Sequence, residues 1–328
     1  MDNPETDWRP SASFDVILQR ADCLARIRRY FTDKEVMEVE TPLLVSATIP
    51  DPNIPSISTA VAQPGDIRRY LSSSPEFAMK RLLAAGSGPI YQVCKAFRQG
   101  EQGRLHNPEF TLLEWYRPGF DHHQLMDDVG ALVAMLSSGH RVFEVEERLT
   151  YGECFQHYLG INPHEADVVH LKACAEEQGL GTNTGLTETD FDGWLDLLMS
   201  HCIQSHLGQN RLSFVYDYPA SQAALAKIRP DTPPVAERFE LFIDGVELAN
   251  GFHELQDADE QRVRFERESR RRQDAGLEPV EIDEYLLDAL ASGLPDCAGV
   301  ALGLDRLLLV LTGAHRLEDT ISFSFDRV

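Results

Sequence analysis

Two glutamates on one predicted hairpin are candidates for metal chemistry. Asp244–Gly245 is typical of a two-residue turn inside Arg238–Phe252. In a regular hairpin, Glu240 and Glu247 are diagonal neighbours on one face, roughly 7–8 Å apart at the backbone. Two carboxylates so close repel each other unless a cation lies between them. Magnesium held together with nucleotide phosphates would meet that need. The alternative is a solvated acidic face, and Glu254 could extend either one.

A strand-like segment, Glu109–Arg117, carries side chains suited to a base and an amine. Its alternation places Phe110, Glu114 and Tyr116 on one face. Phe110 could stack on a base, and Glu114 with Tyr116 could receive an ammonium group. Because a carboxylate between aromatic residues is costly to bury, a buried Glu114 would need a cationic partner. The alternative is a half-exposed strand with a surface glutamate.

The segment Gly299–Leu311 predicts a strand that leads into an apolar helix, with Arg306 in the first helical turn. Small residues allow a strand backbone to approach a ligand closely. An arginine beside a helix N-terminus favours an anion, most simply a phosphate. The alternative is an ion pair with Asp305 or another carboxylate.

The elements that must position these side chains alternate between helices and strands without a regular βαβ rhythm. This mixture favours an α+β fold with an antiparallel sheet flanked by helices. Pro50–Pro64 is rich in proline and serine and predicts a loop. Glu144–Ser213 reads as an inserted or peripheral segment. Helices are predicted over Ser13–Phe31, Ser74–Gly86, Asp121–Ser137 and Ala258–Gly276, and further strands over Val36–Glu40 and Ile90–Arg98.

Composition narrows the class of protein. The 328 residues are 43% hydrophobic and 25% charged, which is ordinary for a soluble globular protein and excludes disordered and fibrous classes. No apolar run approaches the roughly 18 residues of a membrane helix, and residues 1–12 form a polar leader unlike a signal peptide. Six scattered cysteines without a C-x-x-C pair predict reduced thiols in the cytoplasm. We interpret His122–His123 as a surface pair rather than a metal site.

The net charge of −23 argues against a nucleic-acid-binding surface spread over the whole protein. It leaves room for local basic patches. The candidates are Arg26, Arg28 and Arg29, then Arg68 and Arg69, then Arg270–Arg272, with solvated surface arginines as the alternative.

In this order, the stretches above resemble the motifs of class II aminoacyl-tRNA synthetases. The helix followed by Val39–Pro42 looks like motif 1, Phe97–Phe110 like motif 2, and Gly303–Arg306 like motif 3. Phe239–Phe252 is close to the lysine-specific members. The match extends from Ser13 to Val328, so the resemblance implies one catalytic domain over residues 13–328. Motif 1 implies a homodimer.

A subfamily follows from the position of motif 1. Its helix begins near Ser13, which leaves no room for the anticodon-binding barrel of lysyl-tRNA synthetases. This short form resembles the elongation factor P beta-lysine ligases, a family of lysyl-tRNA synthetase paralogues. The resemblance implies ATP and Mg²⁺ as cofactors, adenylation of (R)-beta-lysine, transfer to a lysine of elongation factor P, and no stable tRNA binding. Alternatives are a lysine-activating enzyme that charges tRNA and a catalytically inactive binding module.

The resemblance also implies residue roles. Arg98 would bind the α-phosphate and Arg306 the γ-phosphate, Phe110 would stack on adenine, and Glu240 with Glu247 would bind Mg²⁺. The other implied ATP contacts are Gln99, Gly100, His106, Asn107, Leu248 and Gly303. The implied substrate contacts are Ser74, Pro75, Glu76, Glu114, Tyr116, Asn250, Ala301 and Glu254, the last for the distant amino group.

Two positions depart from the family pattern. Gln99–Gly100 replaces the usual Asn-Glu after motif 2 arginine, so Glu101 or the Gly100 backbone would make the adenine contact. Ala301 stands where lysyl-tRNA synthetases usually have glycine. Its methyl group predicts a reshaped pocket that prefers a beta-amino acid.

Overall fold

A nine-stranded sheet organises this computed structural model, which describes residues 8–61, 67–180, 185–187 and 189–328. Residues 1–7 of the polar leader and residues 62–64 of the predicted loop therefore lie outside the described residues. The strands are β1 Met37–Glu38, β2 Leu44–Val45, β3 Ser58–Val61, β4 Ile67–Leu71, β5 Ile90–Phe97, β6 Glu109–Pro118, β7 Glu147–Thr150, β8 Ser213–Pro219, β9 Ile228–Arg229, β10 Val235–Ile243, β11 Val246–His253 and β12 Cys297–Gly303.

The sheet is antiparallel through its centre. Its order is β1-β5-β6-β12-β11-β10-β8-β7, with β9 paired to β10. Only the outermost pairs β1–β5 and β7–β8 are parallel. The predicted α+β fold with an antiparallel sheet is confirmed for the strands that form the site. A separate three-stranded sheet has the order β2-β4-β3.

Helices cover the sheet and build three clusters of buried side chains. They are α1 Phe14–Asp33, α2 Glu76–Ala84, α3 His122–Ser137, α4 Tyr151–Leu159, α5 Val168–Glu177, α6 Phe191–Leu198, α7 Ala258–Asp274, α8 Glu284–Gly293 and α9 Leu304–Thr312. One cluster joins Phe31, Trp115, Val129 and Leu307 from α1, β6, α3 and α9. Burial of such large apolar side chains contributes about 1.5–3 kcal/mol each.

The second cluster includes side chains of α4 to α6, and the third includes side chains of α2, α7 and α8. Tyr151, Trp194 and Leu195 of α4 and α6 pack with side chains of β8 and β10. Residues 144–213 thus contribute the edge strand β7 and helices α4 to α6, and their interpretation as an inserted segment stays a prediction. Met79 of α2 and Leu286 of α8 belong to the third cluster, beside the sheet.

Local sequence signals account for several element ends. The Ser13 hydroxyl accepts a hydrogen bond from the Val16 amide at 3.3 Å and caps α1. Asp121 and Gln124 form a reciprocal capping box at the start of α3. Gly86 follows α2 with φ of 88°, a left-handed conformation that ends a helix readily.

Two local expectations need correction. The predicted loop Pro50–Pro64 contains β3, because Ser58–Val61 pairs antiparallel with β4. The predicted strand Val36–Glu40 is shortened to two residues. Helix α8 and strand β8 carried no prediction, since their short apolar patterns become informative only when they pack on the sheet.

Within the described ranges, no helix has the length and apolar character needed to cross a membrane. All six cysteines are free thiols, as the spacing predicted.

Candidate active site

A cavity of about 520 Å³ lies over the central strands β6, β11 and β12, with α2 along one side. Most of the residues predicted from sequence to bind ligands line it. They are Ser74, Pro75, Glu76, Arg98, His106, Asn107, Phe110, Glu114, Tyr116, Glu247, Leu248, Asn250, Glu254, Ala301, Gly303 and Arg306. Gln99, Gly100 and Glu240 are not among its lining residues. The strand faces therefore meet in one concave site with an acidic end and an arginine-rich end.

Glu114 is the centre of the acidic end. It is 2% exposed, and its two oxygens accept hydrogen bonds from Ser74 Oγ at 2.8 Å and from the Tyr116 hydroxyl at 2.7 Å. Burial and then the nearby Glu76 raise the pKa of the Glu114 carboxyl to about 8, although both hydrogen bonds oppose this shift. Burial excludes the surface-glutamate alternative. A cation entering the cavity would stabilise the charged carboxylate.

Lys80 is a buried cation that the sequence did not single out. Its ammonium lies 2.7 Å from Glu76 Oε1 and 2.6 Å from Glu254 Oε2. Burial lowers the pKa of Lys80, but Glu254 and Glu76 outweigh it and raise that pKa above its usual value. Burial raises the pKa of Glu254 to about 7, while Lys80 opposes the shift. The acidic end thus holds three carboxyl groups and one ammonium.

The arginine-rich end is built around the start of α9. The Arg306 guanidinium donates to the carbonyl oxygens of Glu247 at 2.9 Å and Leu105 at 3.3 Å. It also lies 2.8 Å from His106 Nε2 and 3.6 Å from the Glu247 carboxylate. Burial and then Arg306 lower the pKa of His106, which keeps that ring neutral beside the guanidinium.

Of the two alternatives for Arg306, the ion pair with Asp305 is excluded. Asp305 is engaged elsewhere, because it pairs with Arg20 of α1 and accepts a hydrogen bond from the Thr111 amide at 2.7 Å. Arg306 instead contacts the Glu247 carboxylate at 3.6 Å, which is the other-carboxylate alternative. At that distance the guanidinium can still bind an anion.

Arg98 and Phe110 form the other wall of this end. The guanidinium lies over the Phe110 ring, 5.0 Å from its centroid, and 3.5 Å from Glu101 Oε1. Glu101 lines the cavity, whereas Gly100 does not, and Gly100 has φ of 77°. That left-handed turn brings Glu101 towards Arg98, in the position expected of a substitute for the missing motif 2 glutamate.

The predicted carboxylate pair on the hairpin has a different register from the regular one. A β-bulge follows Leu241, so Glu240 pairs with Asn250 across the strands instead of Ala249. Glu240 lies beneath Arg238, which donates to it and, at 3.2 Å, to Asn250. Burial, opposed by Arg238 and reinforced by Glu247, raises the pKa of Glu240 to about 7.

Glu247 lines the cavity and interacts electrostatically with the buried Glu240, so these two carboxylates would be the ligands of a divalent cation here. Glu247 presents its carboxylate to the cavity with 38% of the side chain exposed. Glu240 would have to exchange part of its contact with Arg238 for the ion.

A family model for tRNA synthetases class II (D, K and N) matches residues 1–327. The chain belongs to this family. Among curated class II synthetase relatives, it is 48% identical to the elongation factor P--(R)-beta-lysine ligase of Salmonella dublin over 323 residues, 98% of both chains. It is 47% identical to the protein of the same name from Vibrio parahaemolyticus over 325 residues, 98% of this chain and 99% of the other.

The sequence analysis did not single out two residues of this site, Lys80 and Arg238, although the spacing of each gives a signal. Lys80 follows Glu76 by four residues on a predicted helix, a spacing that places the two side chains together. Arg238 precedes Glu240 by two residues on a strand, so both share one face. Asn107 lines the cavity, but its side-chain oxygen already accepts a hydrogen bond from the Phe325 amide at 3.0 Å.

Proposed function

We propose that this chain is an ATP-dependent ligase that adenylates (R)-beta-lysine and transfers it to a lysine side chain of elongation factor P. Relatives with that name match almost the full length of the chain. The observation that carries the proposal is one cavity with buried carboxyls at one end and two arginines at the other. The carboxyl groups match the two ammonium groups of a diamino acid, and the arginines match the phosphates of a nucleoside triphosphate bound next to it.

The first step joins the substrate carboxylate to the α-phosphorus of ATP and breaks the bond to pyrophosphate. Arg98 and Arg306 bind the α- and γ-phosphates and offset the charge that develops there. Phe110 stacks on the adenine, with Glu101 in reach of its edge. Because no protein nucleophile takes part, positioning and electrostatics supply the catalysis.

Glu247 and Glu240 would hold Mg²⁺, which would supply further charge neutralisation on the phosphates. His106 stays neutral and holds the Arg306 guanidinium in place. The other proposed ATP contacts are Gln99, Gly100, Asn107, Leu248 and Gly303.

The acidic end binds the two ammonium groups of the substrate. Glu114, held by Ser74 and Tyr116, receives one, while Glu254 and Glu76 share the other with Lys80. Pro75 and Asn250 complete the proposed wall.

In the second step, the acceptor amine attacks the adenylate carbonyl, and the carbonyl–phosphate bond breaks to release AMP. A lysine amine has a pKa of about 10.4 and must lose a proton before or during attack. We propose that the departing phosphate takes this proton.

Ala301 is the proposed determinant of the beta-amino preference. It lines the cavity and pairs with Glu114 on one side and Asn250 on the other. Its methyl group would displace an α-ammonium more than a β-ammonium. Pyrophosphate exchange with both lysines checks this: Ala301→Gly is expected to raise activity with α-lysine, and equal use of both substrates by the parent chain would contradict it.

A homodimer through α1 and a cytoplasmic location complete the proposal. Phe14 and Leu18 of α1 expose 74% and 67% of their surface, which supports a partner subunit there. Light scattering of the purified chain measures the dimer directly.

The decisive experiment is the intact mass of elongation factor P after incubation with this chain, ATP and beta-lysine. The expected result is the mass of one added beta-lysyl group, with no acylated tRNA in a parallel reaction. An unchanged elongation factor P with acylated tRNA would favour the tRNA-charging alternative. Absence of pyrophosphate exchange with either lysine would favour an inactive binding module.

A further inference from the structure

A second group of ligand side chains lies away from the cavity, where the start of α3 meets strands β10 and β11. His122, Glu237 and His253 each offer one ligand atom, and these atoms all lie within 4.8 Å of one another. None of the three lines the cavity described above. Glu237 and Phe239 alternate to the same face of β10, and Phe239 belongs to the core cluster that includes α3.

His122 is a buried side chain whose ring nitrogens make no hydrogen bond to the described residues, although Asp217 Oδ1 lies 3.5 Å from its Nε2. It is 2% exposed, and neither of its ring nitrogens is satisfied by any described residue. This overturns the interpretation of His122–His123 as a surface pair. Burying an imidazole that makes no hydrogen bond costs folding free energy, and a metal ion bound to the ring nitrogen would remove that cost.

Outer carboxylates flank both imidazoles. His253 Nε2 lies 3.0 Å from Asp296, while its Nδ1 lies 2.6 Å from Glu237. His122 Nε2 lies 3.5 Å from Asp217. A carboxylate behind a ligating histidine orients the ring and raises its basicity, which is the usual environment of histidines that bind metal.

Cationic neighbours set the balance of charge. Arg229 pairs with Asp217 at 2.6 Å and approaches Glu237 at 3.5 Å, and Lys227 pairs with Asp296. Arg229 also pairs with Asp231 at 2.7 Å, so four carboxylates, Asp217, Asp231, Glu237 and Asp296, exceed the two fixed cations by two. With neutral imidazoles, a divalent ion would enter a cluster that carries a net negative charge.

We propose that His122, Glu237 and His253 form a binding site for a divalent transition metal, with zinc as the preferred ion. Two imidazoles and a carboxylate match the ligands that zinc takes in three-residue sites, whereas Mg²⁺ and Ca²⁺ prefer oxygen ligands. Binding requires the loss of the proton now shared between His253 and Glu237. The bound ion joins helix α3 to the central hairpin.

The expected role is a structural clamp. The ion would connect residues more than a hundred positions apart in the chain, so its binding energy adds to the stability of the folded state. No step of the proposed ligase reaction passes through this site.

The test uses the full chain after chelator treatment, titrated with zinc chloride by calorimetry and followed by thermal unfolding. We expect one zinc ion per chain and a higher Tm, with affinity at least tenfold weaker in Glu237→Gln and His253→Gln. His123→Gln is the matched control, because this neighbouring ring is not a member of the triad. It should bind zinc as the parent does.

Substitution of the buried His122 could prevent folding, so a measurement on the parent chain complements the variants. Cobalt(II) bound to the parent should show an absorption spectrum of nitrogen and oxygen ligands without a thiolate charge-transfer band. A thiolate band, no uptake of zinc, or equal zinc affinity in Glu237→Gln and the parent would overturn the proposal.

Discussion

Lys80 gives the acidic pocket an internal counter-ion. Its ammonium and the Glu254 carboxylate are each only 1% exposed, so neither charge is solvated by water. Without that ammonium, Glu76, Glu114 and Glu254 would be three carboxyls in one low-dielectric space. The residue-scale consequence is that the pocket can stay partly ionised before any substrate arrives.

Replacing Lys80 with methionine should therefore destabilise the protein strongly. Removing one partner of a buried ion pair costs about 3–5 kcal/mol. Urea unfolding measures this cost. The matched control is Lys95→Met, because Lys95 pairs with Glu109 at 3.2 Å on the surface and should cost at most about 1 kcal/mol. Similar losses in the two variants would contradict the role of burial.

Binding of the diamino acid should release a proton near neutral pH. The Glu114 carboxyl, with a pKa of about 8 because of burial, is mostly protonated in the empty pocket at pH 7. An ammonium ligand favours the carboxylate, so affinity should rise from pH 6 to 8, by up to about tenfold per unit. Calorimetry in two buffers of different ionisation enthalpy counts the protons released.

The same shift predicts the sign for stability. Because the folded-state pKa lies above the ordinary value of 4.5, this group's contribution is full at low pH and falls as pH rises through about 8. Glu114→Gln is the control for both measurements. Its binding should lose this pH dependence, and an unaltered pH profile in that variant would contradict the assignment.

At the scale of elements, strand β12 leaves space for its neighbours through Gly299. A Cβ there would overlap the Tyr116 ring and come within 2.5 Å of Glu254 Oε1. Both side chains belong to the acidic end. The missing side chain on β12 is thus what allows β6 to bury Tyr116 beside the substrate pocket.

Gly299→Ala should lower stability by about 1–3 kcal/mol and weaken binding of the diamino acid, since Tyr116 and Glu254 must move. Chemical unfolding and calorimetry measure the two effects. Gly303→Ala on the same strand is the control for stability, because its added Cβ would meet its nearest atoms at 3.8 Å. Equal losses of stability would show that glycine matters there only for backbone reasons.

At the scale of the whole molecule, a net charge of −23 repels any acceptor of the same sign, so docking of a negatively charged acceptor would depend on local arginines. The structure separates the candidate patches. Arg26 and Arg272 donate to backbone carbonyls and serve the fold. Arg28 and Arg68 pair with glutamates on the surface. Arg69 lines the cavity, which makes it the best placed of the candidates for an acceptor that must reach the adenylate.

Arg69→Glu should raise the KM for elongation factor P several-fold, with little change in pyrophosphate exchange, because acceptor docking and adenylation use different groups. Steady-state transfer assays measure the KM. Arg270→Glu, on α7, is the charge-matched control and should leave the KM near the parent value. An unchanged KM in Arg69→Glu would exclude the Arg68–Arg69 patch from docking.

Much of the site could be predicted from sequence because its elements are local. The Asp244–Gly245 turn located the hairpin, and strand alternation grouped Phe110, Glu114 and Tyr116 on one face. The capping Ser13 located the start of α1 to within one residue. The bulge after Leu241 could not be predicted, because register depends on pairing with β8 and β12 as well as on the turn. The regular register predicted Glu240 as a magnesium ligand in the cavity. The bulged register instead leaves it beneath Arg238.

The sequence alone determined the fold class and the order of the motifs, through short-range periodicity and the resemblance to class II synthetases. Only the tertiary structure decided which charges are paired and buried. Lys80 with Glu254, Asp305 with Arg20, and His122 beside Asp217 each bring together segments far apart in the chain. Burial and distance, which set the strength of a charge interaction, exist only after those segments pack.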